Sequence, residues 1–190
     1  MLFDSYPHIV ASFCKMMAEQ GRTVDPAEAK PLFEIKYSVA YEFYGASDEQ
    51  RKLHQIFEHD YELEPVVLPF PHTVETIKAI FERGGRHFLY THRGNETSQY
   101  YLNKFGIAEY FTFCVDSSMN FPLKPAPDAV EWICREYGLD KSETVMIGDR
   151  EIDVLSGKNA GVYGCLFSRL DNPETAADFV VKDIIEIKEI

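Results

Sequence analysis

The stretch Thr144-Val-Met-Ile-Gly148-Asp149-Arg-Glu-Ile-Asp153 passes from an apolar run directly into a glycine and two carboxylates. A short β-branched and apolar run of this kind reads as a buried parallel strand. Gly148 turns the backbone at its carboxyl end, and the residues beyond open a helix that runs to Ala160-Gly161. Asp149 is thereby placed at the mouth of a sheet. Ligands of open α/β sheets bind just past the carboxyl ends of the strands, and two acids there suit a hard cation such as Mg2+. Asp153 falls on the same helical face. Acids also cap helix N-termini and complement the helix dipole, so the stretch taken alone supports either reading.

Outward from this strand the chain alternates in period. Val74 to Arg83 reads as a helix stopped by Gly84-Gly85, His87 to Tyr90 as a strand, and Glu96 to Phe105 as a helix stopped by Gly106. Thr112 to Val115 is a further strand and Asp128 to Tyr137 a helix stopped by Gly138. Tyr163 to Phe167 and Phe179 to Val181 complete the series. Strands alternating with helices imply right-handed parallel βαβ units, hence a doubly wound, Rossmann-like parallel sheet with helices on both faces.

The first third of the chain is different. Ser5 is placed to cap a helix over Tyr6 to Gln20, closed by Gly21. Asp25-Pro26-Ala-Glu28 has the form of a capping box with proline at the first helical position, and Pro31 is expected to break or kink the helix there. Leu32 to Tyr44 reads as a helix ended by Gly45, and Ser47 to Gln50 caps another that reaches about Tyr61. The Phe and Tyr residues of this block read as packing between helices rather than as a ligand cage. Pro65-Val-Val-Leu-Pro-Phe-Pro71 then makes a hinge. The expected domains are residues 1–5 as a leading loop remnant, 6–68 as a helical lobe and 69–190 as the α/β core.

With 190 residues and 45% apolar content, the chain suffices for one such domain and a small lobe. A net charge of −12 opposes binding to nucleic acid or an anionic membrane, so no nucleic-acid or membrane partner is expected and a phosphorylated ligand needs a locally positive pocket. Cys14, Cys114, Cys134 and Cys165 have no metal-ligand spacing and read as buried free thiols of a cytoplasmic protein. No leader-like segment or membrane-length apolar run is seen.

In a sheet of this kind the loops after the strands converge at one rim. Thr91-His92-Arg93-Gly94-Asn95 follows the first strand of the alternating series. Asp116 to Pro127, with Lys124-Pro125-Ala-Pro127, follows the second, and Asp149 and Asp153 follow the third. Hydroxyl and backbone N–H donors bind phosphate oxygens, a lysine neutralises charge developing on them, and acids hold Mg2+. In isolation Thr91 reads as a helix cap and Lys124 as a solvated charge; their ordered combination points to a site.

Phe88-Leu-Tyr-Thr91, Lys124-Pro-Ala-Pro127 and Gly148-Asp149 followed by Asp153 resemble motifs II, III and IV of the haloacid dehalogenase superfamily, in its phosphoglycolate phosphatase-like branch. The resemblance implies a phosphatase acting on a small phosphorylated metabolite such as phosphoglycolate, a sugar phosphate or pyrophosphate. It further implies an aspartyl-phosphate intermediate and Mg2+ as cofactor. Thr91 and the backbone N–H of His92 would bind the transferring phosphoryl group, and Lys124 would bridge it to the nucleophile. Asp149 would ligate Mg2+, with Asp153 supporting it directly, through water or by orienting Lys124. The helical lobe would be the cap, and Lys36, His92 and Arg93 are candidate contacts for the leaving group. A monomer or homodimer is expected.

Motif I of that superfamily, Asp-x-Asp-Gly-Thr at the end of a first central strand, supplies the nucleophile and the general acid. The sequence does not contain it, and Leu2-Phe3-Asp4-Ser5 resembles the segment that succeeds it. Both catalytic carboxylates would then lie before residue 1, and the first central strand would be absent. The strands flanking its place would face each other across a gap or pair in an altered order. The alternative expectation is a module that binds Mg2+ or phosphate without turnover.

Overall fold

The computed structural model describes residues 2–58, 67–92 and 94–190, the side chains of Asn95 and Thr97 excepted. The expected helix end near Tyr61, the first residues of the hinge and Arg93 lie outside them. The chain divides into two compact units, Met1–Leu2 with Pro69–Ile190 and Phe3–Leu68. Two short strands, β1 (Phe3–Asp4) and β2 (Leu68–Pro69), pair with each other. No described helix is long and apolar enough to cross a membrane.

Among its described residues the unit Phe3–Leu68 has four helices, α1 (Tyr6–Ala18), α2 (Pro26–Ile35), α3 (Tyr37–Tyr44) and α4 (Asp48–Glu58). Their starts follow the capping chemistry. The Asp25 side chain accepts the Ala27 N–H at 2.9 Å, while Ser47 and Gln50 exchange side-chain and backbone bonds. Pro31 does not break the helix as expected; α2 runs through it and stops at Lys36, which is extended at φ −172°, ψ 145°. Ala29 and Phe33, both fully buried, flank the proline and hold that turn against α1, offsetting the lost N–H bond. The break at Lys36 turns α3 so that Tyr37 and Tyr41 join Phe13 and Phe33 around one imidazole.

That imidazole is His54, fully buried, with the four rings at centroid distances of 5.4 to 6.1 Å. Its Nε2 lies 2.9 Å from the Ile9 carbonyl, which can only accept, so Nε2 donates. Nδ1 then accepts from the Tyr41 hydroxyl at 2.8 Å. These four aromatic residues are packing elements, as expected, and they enclose a buried polar pair that the sequence reading did not include.

The second unit is the parallel α/β core. The strand β3 (His87–Tyr90) runs parallel to β4 (Phe111–Val115), with Tyr90 opposite Val115. The strands β5 (Val145–Gly148), β6 (Tyr163–Phe167) and β7 (Phe179–Val181) form a second parallel sheet in that order, with Gly148 opposite Leu166. Helices α5 (Thr73–Glu82), α6 (Asn95–Lys104), α7 (Asp128–Glu136) and α8 (Glu151–Ala160) connect them, and a 3-10 turn over Ile184–Glu189 ends the chain. On one face α7 packs on Phe88, Tyr90 and Val115 of the first sheet and on Met146 of the second. On the other face Ile80 of α5 joins Val145, Ile147, Cys165 and Ile184.

One layer of helices therefore spans two pieces of sheet. Among the described residues β3 is paired with β4 alone and β5 with β6 alone, so each piece has an unpaired edge. Of the two expected outcomes, separation is observed and altered pairing is not. Gly164 to Phe167 of β6 are buried, whereas every residue of β3 and three of the four in β5 are only half-buried. Strands at the centre of a doubly wound sheet are ordinarily covered on both faces. The four cysteines are free thiols; Cys134 and Cys165 are buried as expected, whereas Cys14 and Cys114 are only half-buried.

Candidate functional site

The site is built where β3, β4 and β5 end. The Thr91 N–H continues the β3 ladder to the Val115 carbonyl at 2.9 Å, which sets Thr91, half-buried, and His92 just past the sheet. At the end of β4 the buried Asp116 caps the 3-10 turn Ser117–Met119 through the Ser118 N–H at 2.8 Å. The loop beyond that turn carries Lys124 back over β3. Past β5, Gly148 is followed by the half-buried Asp149.

Lys124 is not a solvated surface charge. Its side chain is 9% exposed, and Nζ donates to Asp153 Oδ1 at 2.8 Å and to the Tyr90 carbonyl at 3.1 Å. The same ammonium sits 4.1 Å from the centre of the Tyr90 ring. Asp153, 11% exposed on its side chain, accepts the Arg150 N–H through Oδ2 at 3.3 Å and thereby also caps α8. Both of its oxygens are engaged in holding Lys124 and the helix start. In this geometry Asp153 is ion-paired to Lys124 and bonded to the first turn of α8.

Gly148 makes that arrangement possible. A Cβ at this position would lie 2.1 Å from Asp153 Cβ and 2.5 Å from Oδ2, so only glycine lets the carboxylate tuck against the strand end. Gly157 has the same function farther along α8, where a Cβ would lie 2.5 Å from Met146 Cβ, and α8 settles directly onto β5. Two further residues of α8 were not foreseen. The buried Ser156 hydroxyl donates to the Ala126 carbonyl at 2.9 Å and Asn159 Nδ2 to the Pro125 carbonyl at 3.0 Å. With Asp153 they form a stripe at three-residue spacing that grips the loop of Lys124. That spacing, opposite a proline-flanked lysine, was the available signal.

For Asp149, burial alone would raise the carboxyl pKa. The Arg150 guanidinium and hydrogen bonding to backbone oppose that rise. An ionised carboxylate at a strand end fits a hard cation. Among the described residues no three His, Cys, Asp or Glu side chains converge as a cluster able to hold a metal. Mg2+ commonly takes only one or two carboxylates together with substrate phosphate oxygens and water, and Asp149 meets that minimum. Lys36 belongs to the other unit, where it is exposed between α2 and α3.

A model of haloacid dehalogenase-like hydrolases matches residues 1–166. The chain belongs to this family. Among relatives of this chain, pyrophosphatase PpaX of Halalkalibacterium halodurans is 36% identical over 97 residues, covering 51% of this chain and 45% of the relative. A phosphoglycolate phosphatase of Vibrio vulnificus is 27% identical over 126 residues, 64% of this chain and 55% of its own length. The chain thus spans about half the length of these two relatives. A crystal structure of a hydrolase from Streptococcus pneumoniae matches with TM-score 0.69 and 32% identity over 88% of this chain and 87% of that one. A predicted phosphoglycolate phosphatase from Haemophilus somnus matches with TM-score 0.82 and 17% identity over 99% and 92%, a likeness of fold. The α/β fold with parallel sheets is that of the haloacid dehalogenase-like hydrolases.

Proposed function

We propose that this hydrolase is a Mg2+-dependent phosphatase of small phosphorylated metabolites, with phosphoglycolate, a sugar phosphate or pyrophosphate as the substrate class. The observation that carries the reading is the seating of Lys124: an ammonium ion-paired, hydrogen-bonded and ring-backed at the carboxyl end of a parallel sheet. A cation fixed in advance stabilises charge developing on a phosphoryl group with no reorganisation at the moment of reaction. Thr91 and the His92 N–H are the matching donors, and Asp149 would hold Mg2+ together with a phosphate oxygen. When bound, Mg2+ supplies neutralisation of phosphate charge. The helical unit is proposed to act as the cap, excluding water from the reaction.

Attack on phosphorus through an aspartyl-phosphate requires a carboxylate in line with the leaving oxygen. The motif Asp-x-Asp-Gly-Thr does not occur in the 190 residues. We infer that the nucleophile belongs to an apolar strand that pairs between β3 and β5 and ends beside Lys124 and Asp149. The split sheet also fits a second reading, a Mg2+- or phosphate-binding module without turnover. An aryl-phosphate assay with Mg2+ separates them: the 190-residue chain is compared with one extended at its N-terminus by an apolar strand and Asp-x-Asp-Gly-Thr. Turnover only in the extended chain, and its loss when the first aspartate becomes Asn, is expected. Equal turnover in both chains would remove the inferred nucleophile and make Asp116 the first residue to mutate.

A further inference from the structure

Two of the groups that hold Lys124 lie on the segment leaving β3. The Tyr90 carbonyl accepts from Nζ and the Tyr90 ring backs the ammonium. Two residues on, the His92 imidazole meets the Tyr90 ring at a centroid distance of 5.6 Å and 76° between planes. His92 Nε2 accepts the backbone N–H of Lys124 at 3.3 Å. A backbone N–H can only donate, so Nε2 must present its lone pair and the ring proton must sit on Nδ1.

We propose that Tyr90 and His92 are positioning residues for Lys124: the tyrosine ring seats the ammonium, the neutral imidazole holds the amide of the same lysine, and protonation of His92 releases the loop. The role rests on the reading of Lys124 as the phosphoryl-binding cation. Protonation at Nε2 removes the only lone pair facing the amide and places a second positive charge beside the ammonium. The charged groups around the imidazole are Lys124 on the loop and Asp153 and Arg150 at the start of α8. Partial burial and the Lys124 charge lower the His92 pKa from the ordinary 6.5; Asp153 opposes them and Arg150 adds to them. The neutral, loop-holding form therefore prevails at neutral pH and is lost on acidification below 6.5.

Simple electrostatics gives the opposite sign for anion binding, since a protonated histidine beside the site would tighten it. The probe is inorganic sulfate, a dianion across the range from about pH 8 to about pH 5, titrated calorimetrically into the 190-residue chain. Wild-type affinity is expected to fall about three- to tenfold on acidification through the His92 midpoint. His92→Gln, whose side-chain oxygen can still accept the amide, should bind with little pH dependence. His92→Leu should bind weakly throughout; Tyr90→Phe should retain affinity and Tyr90→Leu lose it. In parallel, imidazole 15N spectra, assigned by the His92→Gln variant, should show the Nδ1–H tautomer, with a midpoint that rises in Lys124→Met. An Nε2–H tautomer, or sulfate binding that tightens on acidification in wild type but not in His92→Gln, would overturn the role. If the tautomer and its Lys124 dependence are as expected but sulfate does not bind, His92 still holds the loop and the phosphoryl-binding reading of Lys124 fails instead.

Discussion

Asp149 and Asp153 both follow β5, and the structure gives them different surroundings. Asp149 stands half-buried past the strand end, while Asp153 uses one oxygen for Lys124 and the other for the start of α8. Their asparagine variants should separate cleanly. Asp149→Asn should lose most Mg2+ affinity, measured calorimetrically with inorganic phosphate present, and change the urea midpoint little, because a neutral amide cannot replace an anionic ligand to a hard cation. Asp153→Asn leaves the Lys124 ammonium buried without its counter-charge and should lower unfolding stability by about 3 kcal/mol. A urea midpoint unchanged in Asp153→Asn would mean that Lys124 reaches solvent in solution.

At the level of elements, α8 organises the core site and His54 organises the helical unit. The stripe of Asp153, Ser156 and Asn159 attaches the lysine loop to a helix that glycines allow to lie directly on β5. In the helical unit, burial lowers the His54 pKa from the ordinary 6.5, opposed by its bond to Ile9 and by the nearby Glu58 and aided by His8. A histidine whose folded pKa is depressed binds its proton more readily in the unfolded chain. Its contribution is complete above the unfolded value and is lost as the pH falls below 6.5 toward the folded one. The helical unit should therefore melt at lower temperature as pH drops through that window, followed by near-UV circular dichroism of its tyrosines. His54→Gln should flatten the dependence while lowering stability at neutral pH. The same acid sensitivity in His54→Gln would assign it to another group.

For the whole molecule, the split of the sheet decides where it is weakest. Four of the five residues of β6 are buried and the strand is paired on both sides, whereas β3 and β5 each have one edge unpaired among the described residues. Backbone amides on open edges exchange with solvent through smaller openings than those in a paired centre. Hydrogen exchange of the 190-residue chain should find β6 the most protected strand, with β3 and β5 exchanging faster. In the extended chain used to test for turnover, β3 and β5 should become as protected as β6 and the melting temperature should rise. Equal protection of β3, β5 and β6 in the 190-residue chain would show that the two edges are already covered.

Local chemistry determined much of this protein. Short apolar runs placed β3, β6 and β7 at their observed limits, because strand length is a local property. Thr91, Lys124 and Asp149 were legible as residues just past strand ends, since alternation alone dictates a parallel sheet with its loops at one rim. What tertiary structure decided was burial and partnership. Lys124 resembled a surface charge, and only the approach of α8 and Tyr90 made it a dry, fixed cation. Pro31 resembled a helix stop, and only the burial of Ala29 and Phe33 on either side carried α2 through it. Which groups are removed from water, and which partner each then requires, depends on residues distant in the chain, and no local pattern contains that information.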